Sequence, residues 1–252
     1  MKVYFVGAGP GDPELLTVKA HRLLSGCRIC IYAGSLINPE LLSLLPPAAE
    51  KHDSAALDLQ QISDLFRDAR DGNIDVVRLH SGDPSIYGAT REQMSELDGL
   101  GIDYEVVPGV SSFTAAAAAL KVELTAPEVA QTVILTRMAG RTPVPAEQEL
   151  GMLARTQATL CIFLSSHKIS EVAATLTEHY GPDCPAALVY KASWPDERII
   201  RTTLGDLADE VSAAGIRKTA MLVVGRALSR SIPGSKLYDS TFSHEYRSAK
   251  TR

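Results

Sequence analysis

The sequence predicts an α/β protein made of two lobes, the first built mainly on parallel strands. Short β-rich apolar runs alternate with stretches whose apolar residues recur at helical spacing. In the first half, turns rich in glycine follow directly on the apolar runs. Near residue 120 the pattern changes: residues 121–128 carry Pro127 among polar side chains and read as a connector. The expected lobes are therefore 1–120 and 121–252.

Taken in order, residues 2–6 read as a strand, and Leu15, Leu16, Ala20, Leu23 and Leu24 then repeat as one face of a helix. Residues 28–32 read as a strand, 57–70 as a helix through Leu59, Ile62 and Phe66, 74–79 as a strand, 87–97 as a helix and 104–107 as a strand. Ser111 or Ser112 suits the start of the alanine-rich helix 113–120, because a serine oxygen accepts from the first free backbone N–H groups. In the second half, 133–136 and 159–164 read as buried strands and 169–179 as a helix. Runs 186–190 and 198–202 read as strands of an antiparallel hairpin-like unit around the turn Trp194-Pro195-Asp196, 204–214 as a helix and 220–224 as a last strand. The polar tail after Ser229 is expected to be loosely held.

Composition narrows the function classes. Hydrophobic residues make up 45% of the 252 and charged residues 22%, as in ordinary globular proteins. The net charge of −5 disfavours a general nucleic-acid binder. No apolar run reaches the roughly 18 residues of a membrane span, and the N-terminal run is too short for a signal-peptide core, so the cytoplasm is the expected location. Cys27 and Cys30 have C-x-x-C spacing, but no second ligand pair or thioredoxin-like context accompanies them. They read, with Cys161 and Cys184, as buried structural thiols. No metal site is expected.

The residues with most to say lie in three turns. Gly7-Ala8-Gly9-Pro10-Gly11-Asp12 follows the first strand. A dinucleotide fingerprint is the obvious proposal and fits poorly. The spacing is G-x-G-x-G, Pro10 lacks an N–H, Asp12 adds negative charge, and no acidic residue ends the strand at Tyr32 to hold a ribose diol. A P-loop is excluded because no Gly-Lys-Ser/Thr follows. Ser81-Gly82-Asp83-Pro84-Ser85-Ile86 follows the strand at 74–79, and Pro108-Gly109-Val110-Ser111-Ser112 follows the strand at 104–107. Any one of these is compatible with an ordinary βα turn. Together, at the carboxyl ends of parallel strands, they point to one shared ligand pocket.

In these three loops the chain resembles the tetrapyrrole methylase family, whose members share a Gly-x-Gly-x-Gly-Asp loop, a Gly-Asp-Pro loop and a Pro-Gly-x-Ser turn in this order. The resemblance covers residues 1 to about 245. It implies two α/β lobes with a cofactor cleft between them, S-adenosylmethionine as methyl donor and a homodimer. Tyr32-Ala33-Gly34-Ser35-Leu36-Ile37-Asn38, Thr136-Arg137-Met138-Ala139-Gly140-Arg141-Thr142-Pro143 and Tyr238-Asp239-Ser240-Thr241-Phe242-Ser243-His244 resemble the branch acting on carbon 11 of precorrin-4 or cobalt-precorrin-4. Carried over by motif, the cofactor contacts fall on Pro10, Ser81, Gly82, Asp83, Ile86, Ser111 and Ser112, and in the second half on Leu164, Ala192 and Ala220.

The resemblance implies an anionic tetrapyrrole substrate with many carboxylate arms, for which Arg137 and Arg141 are the expected forks; two solvated surface arginines are the plainer alternative. Asp83 reads equally as a cofactor ligand or as a turn residue bonding its own loop. No catalytic base is assigned. Ala33 stands where some relatives carry an acid, and His80, Tyr87 and Ser35 are each as well explained structurally. Other tetrapyrrole targets, such as uroporphyrinogen or other precorrins, stay open. So do a nicotinamide-dependent oxidoreductase and a carrier without turnover.

Overall fold

The computed structural model describes all residues except 230, 236, 238–240, 244 and 249–252. Tyr238, Asp239, Ser240 and His244 of the third branch motif thus lie outside the described residues. The chain divides into two compact units. One is Met1–Ala116 with Lys191–Arg198; the other is Ala117–Tyr190 with Ile199–Arg252.

The first unit contains β1 (Lys2–Gly7), α1 (Val18–Gly26), β2 (Ile29–Tyr32), α2 (Pro39–Leu42), β3 (Glu50–Asp53), α3 (Leu59–Asp71), β4 (Val76–His80), α4 (Arg91–Leu100) and β5 (Asp103–Val107). Its five strands run parallel in the order β3-β2-β4-β1-β5. Alternate residues of β1 feed two cores. Val3 and Phe5 pack with Ile29, Ile31, Ile62, Phe66 and Leu97. Val6 and Ala8 pack with Leu24, Cys30, Leu41 and Leu79. A parallel sheet buried on both faces needs such strands, because successive side chains point to opposite sides. Helix α3 is fixed at its start by a capping box in which Asp58 and Gln61 satisfy each other's backbone N–H groups.

The remaining elements are α5 (Ser112–Leu120), β6 (Val133–Arg137), α6 (Leu150–Ala154), β7 (Thr159–Phe163), α7 (Ile169–Tyr180), β8 (Pro185–Tyr190), β9 (Arg198–Thr203), α8 (Leu207–Ala213) and β10 (Ala220–Val224). The second sheet has the order β6-β7-β10-β8-β9. This sheet is mixed: β6 and β7 are parallel, and β10 runs antiparallel to both β7 and β8. Leu160, Ile162, Leu176, Leu188, Leu207 and Leu222 fill the core of this unit. All four cysteines are buried free thiols.

Three local departures from the expected elements have clear causes. Helix α4 begins at Arg91 because Tyr87 and Ala89 hold left-handed φ values of 53° and 47°, which breaks the helix expected from residue 87. Strand β3 was not foreseen: it is a polar edge strand of sequence Glu-Lys-His-Asp with no apolar alternation. Helix α8 is shorter than 204–214, since Gly205 and Asp206 form the turn before it. Among the described residues no helix is long and apolar enough to cross a membrane.

Candidate cofactor site

The strand order puts the three glycine turns side by side. β4, β1 and β5 are consecutive neighbours, with Gly7 level with His80 and Val6 level with Val107. The loops after β1 and β4 are then bonded backbone to backbone: Gly9 N donates to Gly82 O at 3.2 Å and Gly82 N to Gly9 O at 2.8 Å. The turn after β5 joins them by contact of glycine backbones. A Cβ on Gly7 would lie 2.6 Å from Gly109 Cα and 2.7 Å from Gly82 O, and one on Gly109 would overlap the same oxygen. Only residues without side chains let three strand ends close in this way.

Asp83 completes the lock. Its Oδ2 accepts from Gly109 N at 2.9 Å, and its Oδ1 accepts from Ser85 N at 2.8 Å and from the Ser85 hydroxyl. Burial pushes this carboxyl up, but the three donors win and hold it below the usual aspartate range. Asp83 thus bonds within its own turn and ties the second loop to the third. Pro10, Gly82 and Ser111 are buried, Asp83, Ile86 and Ser112 half-buried, and Ser81 exposed. Asn38, within a motif already singled out in the sequence, is buried and donates to Gly11 O at 2.9 Å while its Oδ1 caps α2.

His80, at the end of β4, is 4% exposed, and its Nε2 has no partner among the described residues. Burial, reinforced by Arg78, pushes its pKa down to about 3 against a ring hydrogen bond to the Gly88 carbonyl. A ring that stays neutral to such acidity is a weak base, so His80 supports the loop.

The expected residues of the second half lie at one end of the second sheet or directly beyond its strands. Leu222 pairs with Ile162 and Ala220 with Tyr190; continuing the first register brings Ala220 level with Leu164. Ala192 follows two residues beyond Tyr190 and is buried. The neighbouring backbone is strained. Leu164, Lys191, Ser193 and Thr219 all have φ between 48° and 70°, a region that costs non-glycine residues on the order of 1–3 kcal/mol each and that clusters at binding sites. Leu164 is also 61% exposed.

Arg137 lies at the end of β6. Its guanidinium donates to Thr142 O at 3.2 Å and Pro143 O at 2.8 Å, closing the loop that carries Arg141. Arg141 is exposed.

The chemistry of the three loops selects among ligands. Residues 7–12, 81–88 and 108–112 contain no lysine or arginine; they offer backbone groups, serine hydroxyls and the two carboxylates of Asp12 and Asp83. Glycine loops can hold a pyrophosphate through backbone N–H groups alone, but Pro10 lacks one and Asp12 and Asp83 add negative charge; a sulfonium amino acid nucleoside, which carries net positive charge, suits that set better. This fold and set of loops define a class. Residues 2–208 match the family of tetrapyrrole (corrin/porphyrin) methylases, and the chain belongs to it. More narrowly, it is similar to the cobalt-precorrin-4 C(11)-methyltransferase of Methanocaldococcus jannaschii, at 51% identity over 98% of this chain and 96% of that one. The precorrin-4 C(11)-methyltransferase of Pseudomonas aeruginosa is 48% identical over 98% and 99%. A solved Thermus thermophilus uroporphyrin-III C-methyl transferase complexed with S-adenosylhomocysteine is 31% identical with TM-score 0.76, covering 90% of this chain and 99% of that one.

Trp194 and Ser193 escaped the sequence reading. They lie in an apparent hairpin turn, and only the fold shows which loop they touch.

Proposed function

We propose that the chain transfers a methyl group from S-adenosylmethionine to carbon 11 of precorrin-4 or cobalt-precorrin-4. The observation that carries the donor is the interlocked, cation-free set of loops at the ends of β4, β1 and β5. The residues proposed to hold it are Pro10, Ser81, Gly82, Asp83, Ile86, Ser111, Ser112, Leu164, Ala192 and Ala220. Near-full-length identity of about half to two C(11)-methyltransferases supports the choice of ring carbon.

The donor supplies an electrophilic methyl. What the protein must do is hold the nucleophilic carbon behind it at about 3–3.5 Å and exclude water. Backbone groups fixed by glycine packing suit that positioning task. Arg141 is the proposed contact for substrate carboxylates, with Arg137 shaping its loop. A cytoplasmic homodimer is the form supported by the family resemblance.

Calorimetry with S-adenosylhomocysteine is expected to show one saturable site. Incubation with precorrin-4 and with cobalt-precorrin-4, read by mass spectrometry, is expected to add one methyl to at least one of them. Saturable NADH binding without homocysteine-nucleoside binding would reverse the assignment in favour of the oxidoreductase.

A further inference from the structure

The segment Lys191–Arg198 joins β8 to β9, two strands of the second unit, yet it packs as part of the first. Its grip falls on the first glycine loop. Trp194 Nε1 donates to Pro10 O at 2.7 Å, and Asp12 N donates to Ser193 Oγ at 3.0 Å. The indole lies directly against Gly11, where a Cβ would overlap its Cδ1 and Nε1. The ring is itself held. Lys191 Nζ sits 4.8 Å from its centroid and pairs with Asp196 at 2.7 Å, and Ser193 N donates to Glu197 at 2.7 Å. Lys191 and Ser193 hold φ values of 48° and 70°, so the turn keeps a strained shape.

From this geometry we infer that Trp194 is a positioning residue for the donor. It fixes Pro10 and Gly11, and through them the loop that borders the donor, and Gly11 is a glycine because the indole occupies the space of its side chain. A turn needing only to reverse the chain has no use for a half-buried indole N–H on a carbonyl 184 residues earlier, or for left-handed serine and lysine. The inference rests on the proposed S-adenosylmethionine site and sharpens it: affinity for the donor, and not for the tetrapyrrole, is set by this segment.

Trp194 is the sole tryptophan, so it reports on its own role. In the full-length wild type, S-adenosylhomocysteine is expected to shift the emission of Trp194 along the same curve that calorimetry follows. Trp194→Phe keeps most of the ring and removes the donor to Pro10 O. It is expected to weaken S-adenosylhomocysteine binding about 5- to 20-fold, the lower part of the range for leaving one buried carbonyl unpaired. The KM for S-adenosylmethionine is expected to rise similarly, with kcat and the tetrapyrrole KM unchanged. Ser193→Ala, which removes the acceptor of Asp12 N, is expected to move the same constants in the same direction and serves if Trp194→Phe fails to fold. A wild type that binds while both variants bind equally well overturns the inference and leaves the donor site standing. Equal loss of kcat and tetrapyrrole affinity would make Trp194 merely structural. A wild type that does not bind overturns the donor site and the inference together.

Discussion

The two sheets end in contrasting ways. At the carboxyl ends of β4, β1 and β5 the turns are built from glycines, and their backbones touch: Gly7 against Gly109, Gly9 bonded to Gly82. At the matching end of the second sheet, the left-handed positions belong to Leu164, Lys191, Ser193 and Thr219. Glycine adopts such φ values without steric cost, whereas residues with a Cβ keep them only where the surroundings impose them. The first sheet end therefore closes on glycine where its loops touch, and strain enters it only further on, at Tyr87 and Ala89 before α4. The second stores strain, and each arrangement makes its own prediction under substitution.

The largest effect is expected where backbones touch. Gly109→Ala would drive a methyl into Gly82 O and Gly7, and no flexible side chain is available to yield. A loss of about 3 kcal/mol or more in unfolding free energy is expected, together with loss of S-adenosylhomocysteine binding. Denaturant titration and calorimetry measure both. A stable, binding Gly109→Ala protein would show that the three loops do not need their close approach.

The next effect concerns acid. His80 stays neutral in the folded chain down to about pH 3, whereas an unfolded histidine takes its proton near 6.5. The unfolded state therefore binds more protons throughout that window, and the contribution is fully present above pH 6.5 and lost as pH falls toward 3. The loss is expected to be on the order of a few kcal/mol. His80→Asn cannot titrate, so its stability is expected to fall less steeply between pH 6.5 and 3 when unfolding is measured across that range. Asp83 adds a smaller loss further down. Its folded carboxyl is held below the ordinary value by Ser85 and Gly109, so its contribution is present above about pH 3.9 and vanishes as pH drops through the folded value. Asp83→Asn is expected to remove that last step and to cost about 1 kcal/mol at neutral pH. An unchanged acid limb would mean the carboxylate does not tie the second loop to the third.

The same contrast explains what the sequence revealed. Glycine, proline and aspartate after an apolar run are visible as letters, so the three loops and their place at the ends of parallel strands are legible in the sequence. Strand β3 was not, because an edge strand pairs through its backbone and its polar side chains carry no alternation. The antiparallel placement of β10 was hidden for a related reason: Ala-Met-Leu-Val-Val is buried in either direction. The role of Arg137 depended on where Thr142 and Pro143 curl, and that of Trp194 on a contact 184 residues away in the chain. Neither distance nor direction is written in local spacing.

The smallest predicted effect bears most directly on the second sheet end. Thr219 is β-branched and has φ 55°, a region that is an outlier for such a side chain. Thr219→Gly is expected to relieve that strain and raise stability by up to about 1 kcal/mol, offset in part by the greater freedom of glycine in the unfolded chain. Leu164→Gly should behave alike, since its side chain is mostly exposed and gives up little buried contact. If the strain serves to shape a donor site, the same two changes weaken S-adenosylhomocysteine binding even as the melting temperature rises. Thermal unfolding and calorimetry on one preparation separate the cases. A gain in stability with unchanged affinity would make the left-handed turns incidental to binding, and would leave the glycine-lined end of the first sheet as the part of the molecule that holds the donor.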